Sequence, residues 1–452
     1  MPRCHVHALP YFADPTIYFS LIRHSPGAIL LDSGRPTSQR GRYDLMSAWP
    51  TKHLQPLDGE SYASFADRLR SALGQLGVAE LSPSLPFAGG LMGYFSYDLT
   101  RRIFRLEHPP TDDLNLPHAG IGLYNWSLTS DHSERTSQLV FHPAANQGER
   151  DRIIKVFESA VLHRQQSQTF KLSKKFTQDI DYDRYEKAIT KIHSYIQAGD
   201  CYQVNYTQRF QTEYSGETWT AYKTLRNYCA TPFGGFVRLN AVNAIMSFSP
   251  ERFIRCEQGL LETRPIKGTI SRGRTKSEDI SNAQALLNSP KDRAENLMIV
   301  DLLRNDLGKN CRYGSVTVPE IFKIESYPNV HHLVSTIRGE IAEGKDVIDV
   351  LVDAFPGGSI TGAPKLRSIQ IIDELEAFQR GIYCGSLLYI DTRGEMDSSI
   401  AIRTLLAKDG LLSCWGGGGV VADSEPGSEY QESVSKVRNL MSCLEQYFFV
   451  ED

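Results

Sequence analysis

Hydrophobic and polar positions change their period several times along this chain. Short apolar runs such as Ala28-Ile-Leu-Leu31 and Ile121-Gly-Leu-Tyr-Asn-Trp126 alternate with turn residues through the first 145 positions, which predicts short strands. A helical stretch follows at about Glu149 to His163. It leads into Arg164-Gln-Gln-Ser-Gln-Thr-Phe-Lys-Leu-Ser-Lys-Lys175, a polar, basic run with the composition of an exposed connector. The main division of the chain is expected there, giving regions 1–165 and 166–452. Beyond it, Tyr185, Ile189, Ile192 and Ile196 recur at helical spacing within Asp183 to Ala198, and Asp200 to Phe210 alternates with the period of a strand. Strand patterns dominate as far as Thr269. Helices are predicted at about Lys291 to Arg304, Ala363 to Leu375 and Glu429 to Tyr447, with strands and glycine-rich turns between them. Runs of strands separated by runs of helices predict an α+β fold rather than a doubly wound parallel sheet.

Composition narrows the class. A chain of 452 residues can form about three units of ordinary size or one large intertwined domain. Hydrophobic residues make up 41% and charged residues 23%, as in a folded protein, and a formal net charge of -4 gives no general attraction for nucleic acid. The eight cysteines are scattered, without a CxxC pair or a His-Cys cluster at zinc spacing, and are expected to be reduced core thiols. The segment Met1-Pro-Arg-Cys-His5 lacks an apolar core of signal-peptide length, and no uncharged apolar run approaches membrane-spanning length. A cytoplasmic protein that binds neither nucleic acid nor membrane is expected.

Lys267, between proline and glycine in Arg264-Pro-Ile-Lys-Gly-Thr269, is a candidate nucleophile. A lysine amine attacks only when neutral, so the alternative is an ordinary paired lysine at a strand end. In the helix predicted over Lys291 to Arg304, Asp292 and Glu295 share a face, while Leu297, Met298, Val300 and Leu302 anchor the rest. Glu429, Glu432 and Lys436 share a face of the last helix in the same way. Two acidic faces of this kind suit one Mg2+, which prefers hard oxygen ligands, or they are simply solvated. Phe355-Pro-Gly-Gly-Ser-Ile-Thr-Gly-Ala-Pro-Lys365 opens a helix and Trp415-Gly-Gly-Gly-Gly-Val-Val-Ala-Asp-Ser424 follows a strand. Either could offer backbone N–H groups to an anion or mark a rigid turn. Arg403, in the apolar strand Ser399-Ile-Ala-Ile-Arg-Thr404, calls for a carboxylate or phosphate partner. Glu251, after Ser249-Pro250, is a carboxyl at the edge of an apolar strand, where burial favours general-acid work; a structural ion pair explains it equally. His331 and His332 are adjacent on a strand, so at most one enters a given site.

Taken together and in order, these fragments resemble the chorismate-utilising enzymes, the family of the anthranilate, isochorismate and salicylate synthases. The resemblance is close from about Asp183 to Leu444. It rests on Asp200-Cys-Tyr-Gln-Val-Asn205, Ser249-Pro-Glu-Arg-Phe253, Arg264 to Thr269, Lys291 to Asp306, Phe355 to Lys365, Ile402-Arg403-Thr404, Gly417 to Ser424 and Glu429-Tyr-Gln-Glu432. The first half resembles the family more loosely, through Leu30-Leu-Asp-Ser-Gly34 and Arg42-Tyr-Asp44. The resemblance implies a large intertwined β-sandwich-like core with flanking helices. It also implies Mg2+ on the ring carboxylate of chorismate, held through Asp292, Glu295, Glu429 and Glu432. Positions Tyr389, Arg403, Gly417, Gly418 and Gly419 would take the pyruvyl carboxylate, with Lys436 adding positive charge. Gln203, Thr269, His332, Thr361 and Gly362 complete the implied substrate site.

Within the family, Gln203 stands where the water-using enzymes have a lysine base, which resembles the ammonia-using branch. Lys267 stands where anthranilate synthases have alanine, and Asn296 where they commonly have histidine; both resemble the branch that forms 4-amino-4-deoxychorismate. The implied chemistry is attack by Lys267 on ring C2, protonation of the departing C4 hydroxyl by Glu251, and displacement of the lysine by ammonia. A separate lyase would complete 4-aminobenzoate for folate synthesis. No glutaminase nucleophile is recognisable, so ammonia is expected from a partner glutamine amidotransferase subunit. Leu388 and Trp415 depart from the family pattern near the pyruvyl end. Thr231-Pro-Phe-Gly-Gly235 replaces a motif of the tryptophan-inhibited anthranilate synthases, so feedback inhibition is not expected. A bound tryptophan is implied near Ser33, Arg40, Gly41, Arg42, Tyr43, Pro232, Phe233 and Gly234. The rival readings are an anthranilate synthase component and a non-catalytic subunit that binds chorismate or tryptophan.

Overall fold

The apolar runs of this sequence become strands whose partners lie far away along the chain. The computed structural model describes residues 1–38, 41–159, 169–327 and 330–451. Among the described residues, two antiparallel sheets of 13 and 10 strands form the body of the protein. The larger sheet runs His5–Leu9, Thr136–Phe141, Trp126–Asp131, Tyr43–Ser47, Ile29–Asp32, Phe233–Arg238, Ala244–Ser249, Thr404–Lys408, Leu411–Val420, Gln203–Gly216 and Thr177–Gln178, with Phe170–Leu172 and Gly362–Ala363 also pairing with Gln203–Gly216. The smaller runs Ile266–Ser271, Val330–Glu340, Leu260–Thr263, Arg252–Glu257, Met396–Ser399, Ser386–Asp391, Gly90–Phe95, Ala119–Tyr124 and Lys52–Leu54, with Thr317–Ser326 also pairing with Val330–Glu340.

Both sheets contain strands from either side of residue 165. The larger crosses where Asp32 faces Gly234, the smaller where Phe95 faces Ser386. The first and second regions therefore share their sheets, and position 165 itself lies outside the described residues. The run Ile121 to Trp126 feeds both: Ala119–Tyr124 belongs to the smaller sheet and Trp126–Asp131 to the larger, with Asn125 between them. Period-two side chains account for the layering. Leu406 and Ile245 of the larger sheet join Phe95 and Leu388 of the smaller in one apolar cluster between the sheets. Leu405, on the opposite face, joins Tyr222 and Leu440 in a second cluster under the helices. This is the α+β, sandwich-like core expected from the sequence.

Four of the predicted helices appear as Tyr182–Gln197, Pro290–Gly308, Lys365–Leu375 and Pro426–Phe448. Their starts have local causes. The Asp181 carboxylate accepts from the Arg184 N–H, and the Ser289 hydroxyl accepts from the Asp292 N–H just before Pro290. A fifth predicted helix runs Gln147–Glu158 and its last predicted residues fall outside the described ones. Helices Thr16–Ile22, Tyr62–Leu76, Thr218–Tyr228, Lys276–Asn288 and Val347–Ala354 were not predicted. Thr218–Tyr228 falls within the stretch where strand patterns dominate; burial of Trp219, Tyr222 and Leu225 against the larger sheet overrides the strand propensity of its Thr, Trp and Tyr residues. The expected exposed connector is also corrected over its described part: Phe170–Leu172 pairs with the end of Gln203–Gly216, where Leu172 faces Tyr214.

Candidate active site

The site is built on the glycine strand Leu411–Val420. Its ladder with Thr404–Lys408 begins at the Leu405–Cys414 pair, so the segment Gly416 to Val420 is paired only on its other side, with Val204 to Gln208. Arg403 lies in the irregular segment 400–403, between a strand of the smaller sheet and one of the larger. It was expected inside an alternating strand, but it adopts a left-handed backbone at φ 50°, where the ladder stops. Among the described residues no hydrogen bond or ion pair of its guanidinium is found, and burial pulls its pKa below the usual arginine range.

Glycine at 416 to 419 lets two helices approach closely. A Cβ on Gly416 would lie 1.9 Å from the Ser433 carbonyl oxygen, so helix Pro426–Phe448 rests directly on the strand. A Cβ on Gly418 would fall 3.0 Å from Glu429 Oε2 and 3.5 Å from Glu432 Oε1. One on Gly419 would meet Gln203 Nε2 at 2.0 Å and Glu295 Oε1 at 3.2 Å. The missing side chains thus leave a gap faced by carboxylates from helices Pro290–Gly308 and Pro426–Phe448, an approach the sequence alone could not establish.

Lys267 lies in this group and is 13% exposed. Its Nζ is 3.1 Å from Glu295 Oε1 and donates to the Ser359 carbonyl at 3.2 Å. Gln203 Nε2 donates to Glu295 Oε1 at 3.4 Å, and Gln203 Oε1 is buried with no hydrogen-bond partner. The Ser359 hydroxyl donates to Glu251 Oε1 at 2.7 Å. One loop residue therefore touches both the lysine and the buried acid. Burial raises the Glu251 pKa, and the Ser359 hydrogen bond and the charges of Lys267 and Lys436 only partly offset it. For Glu295 burial also acts upward, but it is outweighed by the charge and hydrogen bond of Lys267, with Lys436 and Lys291 adding to it, and the pKa falls. Glu429 is raised by burial against a hydrogen bond from the Ser424 hydroxyl at 2.6 Å, and the neighbouring Glu432 raises it further. Lys436 Nζ holds Glu432 Oε1 at 2.7 Å and the Gly417 carbonyl at 2.8 Å.

The same geometry places the remaining expected residues. The glycine loop before helix Lys365–Leu375, an anion cradle or a rigid turn on its sequence, turns a carbonyl and a hydroxyl of Ser359 toward a lysine and a carboxyl. Thr361 uses its hydroxyl on the carbonyls of Gly357 and Gly358, and Gly362 packs so closely that a Cβ would lie 2.1 Å from the Gln203 carbonyl oxygen. Both shape the loop beside Gln203. Asp292 stands beside Gly268, its Oδ1 2.9 Å from where a Cβ would be, and no hydrogen bond among the described residues joins it to the other three acids. Thr269 Oγ1 meets His332 Nδ1 at 2.8 Å across adjacent strands, while His331 pairs with Asp279 and Ser326. Trp415 stacks on Tyr383 at 6.0 Å, and Leu388 is buried between the sheets.

Tyr389 is the clearest displacement. It was expected at the pyruvyl carboxylate, yet it lines a separate cavity of about 680 Å3 with Arg252, Asp397 and Ser399. Leu388 is buried within the inter-sheet cluster, whereas Tyr389, packed against the edge of that cluster, also borders the cavity beside Leu387. The same cavity collects Gly41, Arg42, Tyr43, Pro232, Phe233 and Gly234 from the expected tryptophan group. Ser33 sits buried behind them, bonded to Asp44, and Arg40 lies outside the described residues. Sequence reasoning missed Ser359 and Ser424 as contacts of Glu251 and Glu429; their only signal was membership of the two glycine-rich stretches.

Comparison with known proteins gives the family of the chain. The profile of the chorismate binding enzyme family matches residues 27–442. Aminodeoxychorismate synthase component 1 of Escherichia coli (strain K12) is 42% identical over 444 residues, covering 95% of this chain and 96% of that one. The protein of the same name from Klebsiella aerogenes is 43% identical over 453 residues, covering 97% and 98%. Among solved structures, anthranilate synthase component I from Streptococcus pneumoniae TIGR4 superposes with a TM-score of 0.80 at 26% identity, covering 89% of this chain and 93% of that one. The menaquinone-specific isochorismate synthase MenF of Escherichia coli shares the fold, with a TM-score of 0.75 at 16% identity. A profile match over most of the chain and relatives above 40% identity along nearly its whole length make this protein a member of the chorismate binding enzyme family.

Proposed function

We propose that this protein aminates chorismate with ammonia to give 4-amino-4-deoxychorismate, using Lys267 as a covalent nucleophile and Glu251 as general acid. The observation that carries the reading is Ser359, whose carbonyl accepts from Lys267 Nζ while its hydroxyl donates to Glu251. A nucleophile and a proton donor held by one residue can act at C2 and C4 of the ring, across the same conjugated diene. The near full-length relatives named aminodeoxychorismate synthase component 1 support the same product.

The amine of Lys267 forms a bond to ring C2, both ring double bonds shift, and the C4–O bond breaks. Glu251, kept protonated to higher pH by burial, gives its proton to the departing hydroxyl, which leaves as water. Ammonia then bonds to C4, the double bonds shift back and the C2–N bond breaks, freeing the lysine. A proton from the new C4 ammonium restores Glu251. The orphan Gln203 Oε1 is a ready acceptor for an ammonia N–H, and the unpaired Arg403 with Lys436 supplies positive charge for a carboxylate. Tyr389 has no part in this assignment.

Magnesium fits the donor chemistry: Glu295, Glu429 and Glu432 face the gap left by Gly418 and Gly419, with Asp292 on the Lys267 side. The fit is not preformed, since among the described residues no three acidic, His or Cys side chains converge tightly enough to hold a metal. When bound there, the ion would withdraw electrons from the ring through its carboxylate. Ammonia is assigned to a partner glutamine amidotransferase subunit. The cavity of about 680 Å3 is assigned to a structural tryptophan. The eight free cysteines fit a reducing cytoplasm. No helix among the described residues is long and apolar enough to cross a membrane.

The test is mass spectrometry of products after incubation with chorismate, Mg2+ and ammonium. Aminodeoxychorismate without released pyruvate is expected. Anthranilate with pyruvate would overturn the role of Lys267, isochorismate or salicylate that of Gln203, and untouched chorismate would favour a binding subunit.

A further inference from the structure

Arg380 touches none of the groups assigned to the reaction, yet it is only 1% exposed and every direction of its guanidinium is used. Nε and Nη2 grip the two oxygens of Glu376 at 2.8 and 2.6 Å. Nη2 also donates to the Asn205 carbonyl at 2.6 Å, and Nη1 to the Ile360 carbonyl at 3.1 Å. The cation lies 4.5 Å from the centroid of the Tyr97 ring. Glu376 Oε1 accepts in turn from both the N–H and the hydroxyl of Thr207, each at 2.9 Å.

A buried ion pair is a poor device for stability alone, because desolvating both charges offsets most of their attraction and an apolar pair of similar volume does as well. What distinguishes this pair is where the leftover donors go. Ile360 is bonded to Ser359, the residue that touches Lys267 and Glu251. Asn205 is two residues from Gln203 on the strand that faces the glycine segment, and its own N–H donates to the Thr361 carbonyl at 2.8 Å. Arg380 therefore ties the Ser359 loop to the Gln203 strand at two backbone carbonyls, those of Ile360 and Asn205.

We propose that Arg380, oriented by Glu376, is a positioning residue that fixes the register of the Ser359 loop against the Gln203 strand. In that register Lys267 and Glu251 stay on either side of Ser359, and Gln203 stays beside Glu295. This rests on the assignment of Lys267 and Glu251 made above. An error of about 1 Å in such an arrangement lowers turnover by about 10²-fold without touching substrate affinity to the same degree.

The experiment uses the full chain carrying R380M/E376Q, which removes both charges and keeps an amide oxygen for Thr207. Chorismate turnover with ammonium should show kcat lowered by about 10²-fold and KM changed by less than about threefold. The alkaline limb of the pH–rate profile should also move, because the Ser359 hydroxyl no longer holds Glu251 in place. A folded double variant with kcat within about threefold of the parent, or one whose loss lies wholly in KM, overturns the proposal. If the double variant does not fold, R380K decides: it keeps a cation for Glu376 but cannot reach both carbonyls, and kcat should fall about tenfold. An unchanged kcat in R380K overturns the proposal equally. K267A run in parallel separates the two readings. If K267A still turns over, the assignment of the nucleophile fails; if K267A is dead and the Arg380 variants are fast, only the positioning role fails.

Discussion

The charged group around Lys267 and the cavity of about 680 Å3 are built from the same strands and have almost nothing else in common. Glu251 belongs to the charged group, and Arg252, the next residue, lines the cavity. Lys267 and Arg264 divide in the same way, being three positions apart along one extended segment. In the charged group Lys267, Glu295, Glu251 and Ser359 are joined by ion pairs and hydrogen bonds, with Gln203 Oε1 left without a partner. In the cavity the lining mixes Pro232, Phe233 and Leu387 with scattered charges. Paired charges around a buried acid suit proton transfer and nucleophilic chemistry, whereas a partly apolar cavity suits a small bound molecule.

The largest expected effect separates the two regions outright. Lys267→Ala should lower turnover on the order of 10³-fold or more and abolish any adduct detected by intact-protein mass spectrometry, while tryptophan binding measured by calorimetry stays unchanged. An adduct surviving on another residue would break the comparison at its strongest point.

A smaller change probes the acid. Ser359→Ala removes a hydrogen bond that favours the Glu251 carboxylate, so the pKa that burial has already raised should rise further. The acid form then persists to higher pH, and the alkaline limb of kcat/KM should shift upward while its plateau falls about tenfold, as for loss of one hydrogen bond to an ionisable group. A limb that moves down would mean that Ser359 stabilises the protonated form.

How much of this was legible in the sequence differs between the two regions for a physical reason. Helices with clear period, such as Tyr182–Gln197 and Pro426–Phe448, and residues set in distinctive local contexts, such as Lys267 between proline and glycine, could be read directly. What joins them could not. Ser359 and Glu251 are 108 residues apart, and Arg380 and Asn205 are 175 apart, so only the folded sheets bring them together. Arg403 was misread because its neighbours alternate like a strand, and nothing local announces a left-handed backbone at an arginine. The cavity was traceable only through the resemblance, which named six of its lining residues, since a hole is a property of several elements at once.

On the cavity side, Gly41→Ala offers the next effect in size. Gly41 has φ 93°, and a Cβ there would lie 2.7 Å from the Ser33 Cβ. Strain of about 1–3 kcal/mol is expected, read as a lower Tm and weaker tryptophan binding, with turnover of the folded fraction nearly unchanged. A variant that lost turnover in step with tryptophan binding would show the two regions to be coupled.

The smallest expected effect is the most discriminating. Family resemblance assigns Tyr389 to the pyruvyl carboxylate of chorismate, whereas the structure turns its ring into the cavity, edge-on to Phe87 at 5.9 Å and close to Arg252 and Asp397. Tyr389→Phe removes one oxygen and little volume. If the hydroxyl bound a substrate carboxylate, its loss would leave part of that charge unpaired and cost about 1.5–3 kcal/mol, at least a tenfold fall in kcat/KM. If the hydroxyl serves the cavity alone, kcat/KM for chorismate should stay within about twofold, and any change should appear in tryptophan affinity instead. A large loss confined to kcat/KM would return Tyr389 to the substrate and separate its hydroxyl from the cavity that it borders here.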